Sequence, residues 1–202
     1  MQQKQGGFTL LEAMLVITVI GVMLGLAVPN VREFIRNARL TSSANDLLAD
    51  LHVARTESIK RREPVVLCSS ANANATDVDD LECRAEDATE FDGWFAYVDL
   101  DADDVYDGGT DIVLLQRGPV DDTVTAKSDA GAVSYASSGF MRQVAGSASA
   151  TSIAFCDVRG NERILEDQST VRVVSLLPTG RAGITRDYDE VSTVLTSLGG
   201  CP

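Results

Sequence analysis

The sequence predicts an α+β fold in which a long N-terminal helix carries a β-rich C-terminal head. Residues 8–62 have the apolar spacing of a helix, and from Pro64 onward short β-rich runs alternate with turn residues. With 202 residues, the chain is long enough for one ordinary domain and an appendage. We divide it into residues 1–7, 8–28, 29–63 and 64–202, which are justified in that order below.

The apolar run from Phe8 to Val28 predicts a membrane-spanning helix, with the short polar segment 1–7 before it as a leader. Glu12 is its only charged residue. A helix of about 21 residues spans roughly 31 Å, which matches the hydrocarbon core of a bilayer. A secretory signal peptide is the alternative, but its apolar region is typically about 7 to 15 residues long and precedes a small-residue cleavage site. Here the small residues Gly6 and Gly7 come before the run.

Glu12 is costly within this run. A carboxylate near the centre of a membrane helix costs on the order of 2.5 to 3.5 kcal/mol, so a partner and a function are expected for it. The alternative is that Glu12 lies close enough to the interface to stay hydrated. If the chain were cut after Gly7, Phe8 would begin the mature protein with a free amine. The Glu12 carboxylate could then pair with that amine, within one chain or between neighbours.

These residues resemble the N-terminus of type IV pilins and type II secretion pseudopilins. The resemblance is carried by GFTLLE at residues 7–12, the apolar run and Pro29. It implies that an inner-membrane prepilin peptidase cuts between Gly7 and Phe8 and that the new amine of Phe8 is methylated. It also implies that Glu12 is the assembly residue that docks the subunit into a filament. The peptidase and the methyl donor belong to other proteins, so this chain would need no cofactor of its own.

Residues 29–63 predict an amphipathic continuation of the helix. Pro29 removes an amide donor and disfavours helical geometry at Val28, so we expect a bend or a melted turn there. Basic residues at positions 60–62 end the helix just ahead of Pro64. The apolar stripe follows steps of three and four residues. Its members are Val31, Phe34, Ile35, Ala38, Leu40, Ala44, Leu47, Leu51, Ala54 and Ser58.

Residues 64–202 predict a β-rich, sandwich-like head packed on the second half of the helix. Residues 71–92 are polar and acidic, which is typical of a long surface loop. Apolar or alternating runs of the length of strands occur elsewhere in this segment. They are PVVLCSS, GWFAYVDL, DIVLLQRG, AVSYASSGF, TSIAFCDVRG and TVRVVSLLPTGRAGIT.

Most of the chain resembles the GspH/FimT group of minor pilins and pseudopilins. Residues 40–70, DGWFAYVDLD at 92–101 and PTGRAG at 178–183 carry this resemblance. It implies a pilin-like fold and a place in the small complex that initiates and caps a filament. The partners would be other minor pilins or pseudopilins and the major pilin.

Two functions follow from the resemblance. The favoured one is a minor pilin of a type IV pilus, which supports twitching motility and adhesion, because the paired cysteines and the acidic loop resemble pilus-tip members. The alternative is the minor pseudopilin H of a type II secretion system. Either protein would first be a single-pass inner-membrane protein with a periplasmic head, and then part of a filament tip that, in a pilus, reaches the cell surface.

The four cysteines predict two disulfides. An even number of cysteines in an exported segment implies disulfide bonds. We favour Cys68 with Cys83, which closes the acidic loop on its own strand, and Cys156 with Cys201, which ties the C-terminal segment to a strand. A zinc site is the alternative, but no cysteine has a C-x-x-C neighbour and the one histidine, His52, lies on the helix.

The segment DLDADDVYDGGT, residues 99–110, partly matches a calcium-binding loop. Its carboxylates Asp99, Asp101, Asp103 and Asp107 occupy positions 1, 3, 5 and 9. The pattern fails at position 6, where Asp104 replaces glycine, and at position 12, which is Thr110 and not glutamate. The segment can therefore be a plain hairpin turn, and a Ca²⁺-dependent adhesive receptor is the other hypothesis. Such crowded aspartates repel one another without a cation or good solvation.

The charge of the chain disfavours DNA as a partner. Its 17 basic and 30 acidic residues give a net charge of −13 at pH 7. One branch of the family binds DNA through a C-terminal Gly-Arg-x-Arg loop, and the candidates for that contact here are Arg181 and Arg186. The second arginine of that pattern is missing, since residues 180–183 read GRAG.

No catalytic residue is predicted, and the chain is not expected to be an enzyme. The G-x-S-x-G nucleophile elbow does not occur in the sequence, and the single histidine lies on the helix.

Overall fold

The computed structural model describes residues 9–85, 87–143 and 149–201, and it divides into two compact units, residues 1–38 and 39–202. Helix α1, Leu10–Arg61, contributes to both units. In the first unit the described large apolar side chains of the helix are all between 43% and 75% exposed. The stripe residues Val31, Phe34, Ile35 and Ala38 belong to this unit and are exposed, unlike the rest of the stripe.

Helix α1 passes through position 29 without interruption, so the prediction of a melted turn at Pro29 is wrong. A proline inside a helix removes a single i to i−4 hydrogen bond. The bonds before and after it can maintain the helix, and such prolines are tolerated in membrane helices.

The described residues of the second unit form nine strands and a C-terminal helix. The strands form two antiparallel sheets, with the orders β3-β2-β1-β5-β6 and β4-β7-β8-β9. Short 3₁₀ helices lie at Val78–Asp80 and at Leu165–Asp167. The elements are β1 Val65–Ser69, β2 Trp94–Val98, β3 Ile112–Arg117, β4 Thr125–Ser128, β5 Ala132–Tyr135, β6 Met141–Arg142, β7 Ser152–Cys156, β8 Gln168–Leu176, β9 Ala182–Asp187 and α2 Tyr188–Ser197.

The main core of the head lies between α1 and the inner faces of both sheets. The helix contributes the part of its stripe that begins at Leu40, which confirms the predicted face from there to Ser58. Side chains alternate across a strand, so every second residue of β1, β2 and β7 joins this core. These include Val65 and Leu67 of β1, Trp94, Ala96 and Val98 of β2, and Ile153 and Phe155 of β7.

The outer face of each sheet is also covered. Over the first sheet, the alternate residues Val66, Phe95 and Tyr97 pack with Leu81 of the acidic loop and Tyr106 of the β2–β3 loop. Over the second sheet, α2 covers a smaller cluster made by alternate residues of the strands and one face of the helix. That cluster comprises Ala154, Cys156, Val171, Val173, Val191, Leu195 and Leu198.

Both predicted disulfides are confirmed. Cys68 of β1 bonds Cys83 of the acidic loop, with Cα atoms 5.5 Å apart. Cys156 of β7 bonds Cys201, just after α2, with Cα atoms 5.9 Å apart. Each bond therefore ties a covering segment to the outer face of one sheet.

Three elements were not predicted from the sequence. Strands β4 and β6 are short and carry Lys127 and Arg142, so they lack an apolar run. Helix α2 begins after Asp187, whose carboxylate accepts hydrogen bonds from the backbone N–H groups of Asp189 and Glu190 at 3.1 and 3.0 Å. An aspartate at the N-cap with a glutamate three residues later is a helix-start signal that was available in the sequence.

We expect the second disulfide to stabilise the head more than the first. On the chain-entropy model, closing loops of 15 and 45 residues contributes about 3 and about 4 kcal/mol respectively. Equilibrium denaturation of the Cys68→Ala/Cys83→Ala and Cys156→Ala/Cys201→Ala variants, beside the oxidised parent, would measure both losses. If either variant lost less than about 1 kcal/mol of its free energy of unfolding, this would contradict the role of that disulfide in holding the segment that covers its sheet.

Candidate functional site

The described N-terminal segment begins at Thr9, which caps α1. Its hydroxyl oxygen accepts a hydrogen bond from the N–H of Glu12 at 3.2 Å, and its carbonyl accepts one from the N–H of Ala13 at 3.1 Å. The bond to the hydroxyl satisfies an N–H group that has no partner inside the helix, and the bond to the carbonyl is the first i to i−4 bond of the helix. The predicted processing residues Gly7 and Phe8 lie outside the described residues.

Thr9 and Glu12 form a capping-box sequence, T-x-x-E, which was missed as a signal in the sequence. In a capping box the glutamate side chain can reach back to the N–H of the cap residue. Glu12 also lies in the first turn, where a negative charge interacts favourably with the helix dipole. Its side chain is exposed. Glu12 therefore has a local helix-starting role available beside the assembly role that the resemblance implies.

Glu12 stands at the start of a segment suited to a membrane. Among the described residues, α1 is the one helix long and apolar enough to cross a bilayer, with a mean hydropathy of 2.4 over its most apolar 18 residues. None of that window is buried inside the protein. Thr18, a polar residue of this segment, donates its hydroxyl to the carbonyl of Met14 at 2.8 Å, so its polar group is satisfied within the helix.

Within the head, a buried carboxylate ties the helix to the first sheet. Asp50 of α1 is 5% exposed. It accepts a hydrogen bond from the indole Nε1 of Trp94 at 2.8 Å and two from Arg117, at 3.2 Å from Nε and 3.1 Å from Nη2. The hydrogen bond with Asp50 raises the pKa of Arg117. Asp50 therefore orients the helix against both β2 and β3.

A second polar contact joins the helix to two turns of the head. Arg55 donates from Nε to the carbonyl of Gly139 at 2.9 Å and from Nη2 to the carbonyl of Thr179 at 3.0 Å. Gly180 has φ of +76°, and a Cβ there would lie 2.0 Å from the Gly139 carbonyl oxygen. The PTG part of the PTGRAG motif is thus explained by close packing of two turns beneath Arg55.

The two arginines considered for DNA are not brought together. Arg181 precedes β9 and is exposed, whereas Arg186 lies within β9 and is half-buried. They are five positions apart along an extended segment, and an odd separation places side chains on opposite faces. The charge of Arg186 acts on Arg172, where burial is the main cause that lowers the pKa to about 10. On strand alternation, Arg181 and Arg186 therefore belong to different faces of the segment, one at an exposed and one at a half-buried position.

The aspartate loop connects β2 to β3, and three of its four predicted ligands lie together. One carboxylate oxygen from each of Asp99, Asp101 and Asp103 lies within 4.8 Å of the others. Asp107 is not part of this group among the described residues, so a fourth carboxylate ligand stays a prediction. The backbone N–H of Asp107 instead donates to Asp111 at 3.0 Å.

Asp99 is the buried member of the group. Its residue surface is 0% exposed, and Oδ2 accepts a hydrogen bond from the N–H of Asp104 at 3.2 Å. Burial raises the pKa of the Asp99 carboxyl, although the backbone N–H of Asp104 acts in the opposite direction. Arg142 of β6 pairs with the carboxylate of Asp104, and its Nη1 lies 3.9 Å from Asp99 Oδ2.

Comparisons with known proteins define the class to which this fold and N-terminal segment belong. A family described as the prokaryotic N-terminal methylation motif matches residues 2–28, and one described as type II transport protein GspH matches residues 43–180. The first match covers the leader and the apolar run, up to residue 28. The second covers more than half of the chain, and the protein therefore belongs to the GspH family.

Among curated proteins no match is found. Two crystal structures of the type IV minor pilin FimU from Pseudomonas aeruginosa PAO1 are similar to this chain at 17% sequence identity. The P21 form has a TM-score of 0.49 and the alignment covers 76% of this chain and 93% of FimU. The P65 form has a TM-score of 0.46, with 73% and 94% covered.

Replacing Asp50 with alanine should destabilise the head by about 2 to 4 kcal/mol, because it leaves the buried Trp94 N–H and the Arg117 guanidinium without their shared acceptor. Denaturation followed by the fluorescence of Trp94, the only tryptophan, would measure the loss. The matched control is Asp121→Ala, which removes a 2.9 Å ion pair with Arg39, whose side chains are 42% and 39% exposed, together with the hydrogen bonds that Thr123 donates to the same carboxylate. Exposed pairs contribute about 0 to 1 kcal/mol, so equal losses in the two variants would contradict the anchoring role of Asp50.

Replacing Gly180 with alanine should destabilise the head by about 2 kcal/mol or more, since the positive φ and the contact with Gly139 both penalise a Cβ. Gly183→Ala is the control, because a Cβ at that position meets nothing within 4 Å. It should be neutral or stabilising by up to about 1 kcal/mol, as glycine is unfavourable inside a strand. Thermal unfolding of both variants checks this, and a tolerated Gly180→Ala would contradict the packing explanation for PTG.

Proposed function

We propose that this protein is a minor subunit of a type IV pilus that joins the complex initiating and capping the filament. Its chemistry would be removal of residues 1–7, methylation of the Phe8 amine and docking through Glu12. The peptidase and the methyl donor would be supplied by other proteins, and the role of this chain is structural and not catalytic.

The observation that carries the proposal is that one helix begins with a pilin-type N-terminal segment and ends as part of the core of the head. The described large apolar side chains of the segment from Leu10 to Ala38 are exposed, and Glu12 lies at its beginning. From Leu40 onward, the same helix is part of the core of the head. A head attached in this way can be anchored in the inner membrane first and then transferred into a filament by its helix.

A minor pseudopilin of a type II secretion system is the second candidate. The description of the family that matches residues 43–180, type II transport protein GspH, favours it. Both candidates require the same processing and the same docking through Glu12. They differ in where the assembled protein is found and in which activity is lost without it. DNA binding at the tip is not favoured, given the net charge of −13 and the separation of Arg181 from Arg186.

The first experiment is the intact mass of the protein from membranes and from sheared surface filaments, with and without reduction. We expect a mass lacking residues 1–7, heavier by one methyl group, and a gain of four hydrogens on reduction of the two disulfides. The processed protein in surface pili, with loss of twitching motility in a deletion strain, supports the pilus. Loss of protein secretion with normal pili would favour the secretion system, and an unprocessed protein would contradict both.

The role of Glu12 can be separated from helix capping by comparing three variants. Glu12→Gln keeps a side chain that can complete a capping box but removes the charge. Thr9→Ala removes the cap but keeps the carboxylate, and Thr18→Ala is a control in the same apolar segment. If the charge docks the subunit, Glu12→Gln should reduce the amount in filaments at least tenfold, with normal membrane levels and processing. Thr9→Ala and Thr18→Ala should stay near the parent level.

An equal loss in Glu12→Gln and Thr9→Ala would assign the effect to the start of the helix. Normal incorporation of Glu12→Gln would contradict the docking role of the carboxylate.

A further inference from the structure

We propose that the β2–β3 loop of the head binds a Ca²⁺ ion through the carboxylates of Asp99, Asp101 and Asp103. This site is separate from the N-terminal segment that would act in filament assembly. Its test is therefore independent of the proposed function, and either can fail without the other.

The three aspartates are spaced and placed as ligands for one cation. They alternate along the chain at positions 99, 101 and 103, and one oxygen from each lies within 4.8 Å of the others. Ca²⁺ is bound by six to eight oxygen atoms at about 2.3 to 2.6 Å, so two ligand oxygens on opposite sides of one ion are separated by roughly twice that distance. The group therefore already has the dimensions of part of a coordination sphere.

Asp99 supplies an independent indication that the group lacks a ligand. The backbone N–H groups of Asp104 and Ala102 act on the Asp99 carboxylate, but its Oδ1 atom is buried and no hydrogen bond reaches that atom within the part of the chain that the structure describes. A buried charged oxygen without a partner is strongly unfavourable, whereas a bound cation would satisfy it. A plain hairpin turn does not account for a fully buried carboxylate at this position.

The nearest arginine does not meet this need. Arg142 forms an ion pair with the Asp104 carboxylate and lies 3.9 Å from the other oxygen of Asp99, beyond hydrogen-bond distance. Asp101 and Asp103 are exposed and add two further negative charges to the group. The cluster thus keeps an excess of negative charge beside the buried oxygen.

The ends of the loop are held by contacts that do not involve these three carboxylates. Asp111 accepts from the N–H of Leu100 at 3.0 Å and from that of Asp107 at 3.0 Å, which fixes both ends of the loop. The hydroxyl of Tyr97 donates to the carbonyl of Asp104 at 3.0 Å. Asp104 has φ of +65°, the left-handed conformation for which position 6 of a calcium loop uses glycine, and aspartate can adopt it. Asp104 therefore has the backbone conformation that position 6 requires, although it is not a glycine.

The chemistry of the group favours Ca²⁺ over other common ions. Its ligands are oxygen atoms only, which suit Ca²⁺ or Mg²⁺ and not softer metals. Mg²⁺ requires near-ideal octahedral geometry at about 2.0 to 2.1 Å, while Ca²⁺ accepts irregular spheres completed by water. Calcium sites of extracellular modules typically have dissociation constants of about 10⁻⁴ to 10⁻³ M, and we expect that range here.

The test is calcium binding to the full chain, purified in detergent with both disulfides formed. Isothermal titration with CaCl₂ should give one site in the range above. At 10 mM CaCl₂, with ionic strength matched by NaCl, the melting temperature should rise by about 4 °C or more over that in EDTA. MgCl₂ should give less than half of this shift.

The variant Asp101→Asn/Asp103→Asn removes two charges but keeps amide oxygens, including one that can still accept from the N–H of Val105, as Asp103 does at 2.8 Å. It should bind Ca²⁺ at least tenfold more weakly, with a melting temperature in EDTA equal to or above that of the parent, because two repelling charges are removed. The matched control is Asp87→Asn/Asp122→Asn, which removes two exposed aspartates elsewhere on the head and should bind like the parent.

Absence of saturable binding to the parent chain would overturn the proposal, and so would equal affinities for the two double variants. If the first double variant unfolds at a lower temperature in EDTA, the single variants Asp101→Asn and Asp103→Asn decide the question. Each should weaken binding by about threefold or more, and unchanged affinity in both would again overturn it.

Discussion

Burial of one helical stripe between two sheets is the constraint on which the head depends. Leu40, Ala44, Leu47, Leu51 and Ala54 are each 0% exposed, and they share one core with inner residues of both sheets. Fully burying a large apolar side chain contributes about 1.5 to 3 kcal/mol, so losing this face of α1 would remove a large part of the stability of the head. Because the same helix runs back to residue 10, the anchor of the protein is also a structural member of its head.

A sheet that packs on a helix by one face has a second face that must be protected from water. In the head, both sheets are protected in the same way. The acidic loop covers the first sheet and α2 covers the second. Neither cover has a large apolar core of its own, and each is tied by a disulfide to an outward-facing cysteine of a strand, Cys68 or Cys156. The cysteines thus compensate for the small apolar area that each cover buries.

The sequence predicts much of this arrangement because the spacing of apolar residues indicates which of them are buried. That spacing predicts the stripe from Leu40 to Ser58 and the strand runs, and the number and positions of the cysteines predict both disulfides. Strand β4, with the sequence TAKS, is too short and polar to be recognised without its partner β7. The polar contacts of Asp50 and Arg55 could not be predicted either, since they join residues 44 to 124 positions apart. At residues 99–104, the residue types alone did not show that Asp99 is buried or that Asp104 has a left-handed backbone.

The acidic loop and α2 differ in how much of the chain must be present before each can be tied to its sheet by a disulfide. A chain that emerges N-terminus first presents α1 and soon afterwards Cys68 and Cys83, which are 15 residues apart. Cys201 follows its partner by 45 residues, after β8, β9 and α2 have appeared. The first sheet can therefore acquire its cover during emergence, whereas the second keeps an unprotected apolar face until its last strand and helix arrive. Partly emerged chains would be vulnerable to proteases and misassociation mainly through that second sheet.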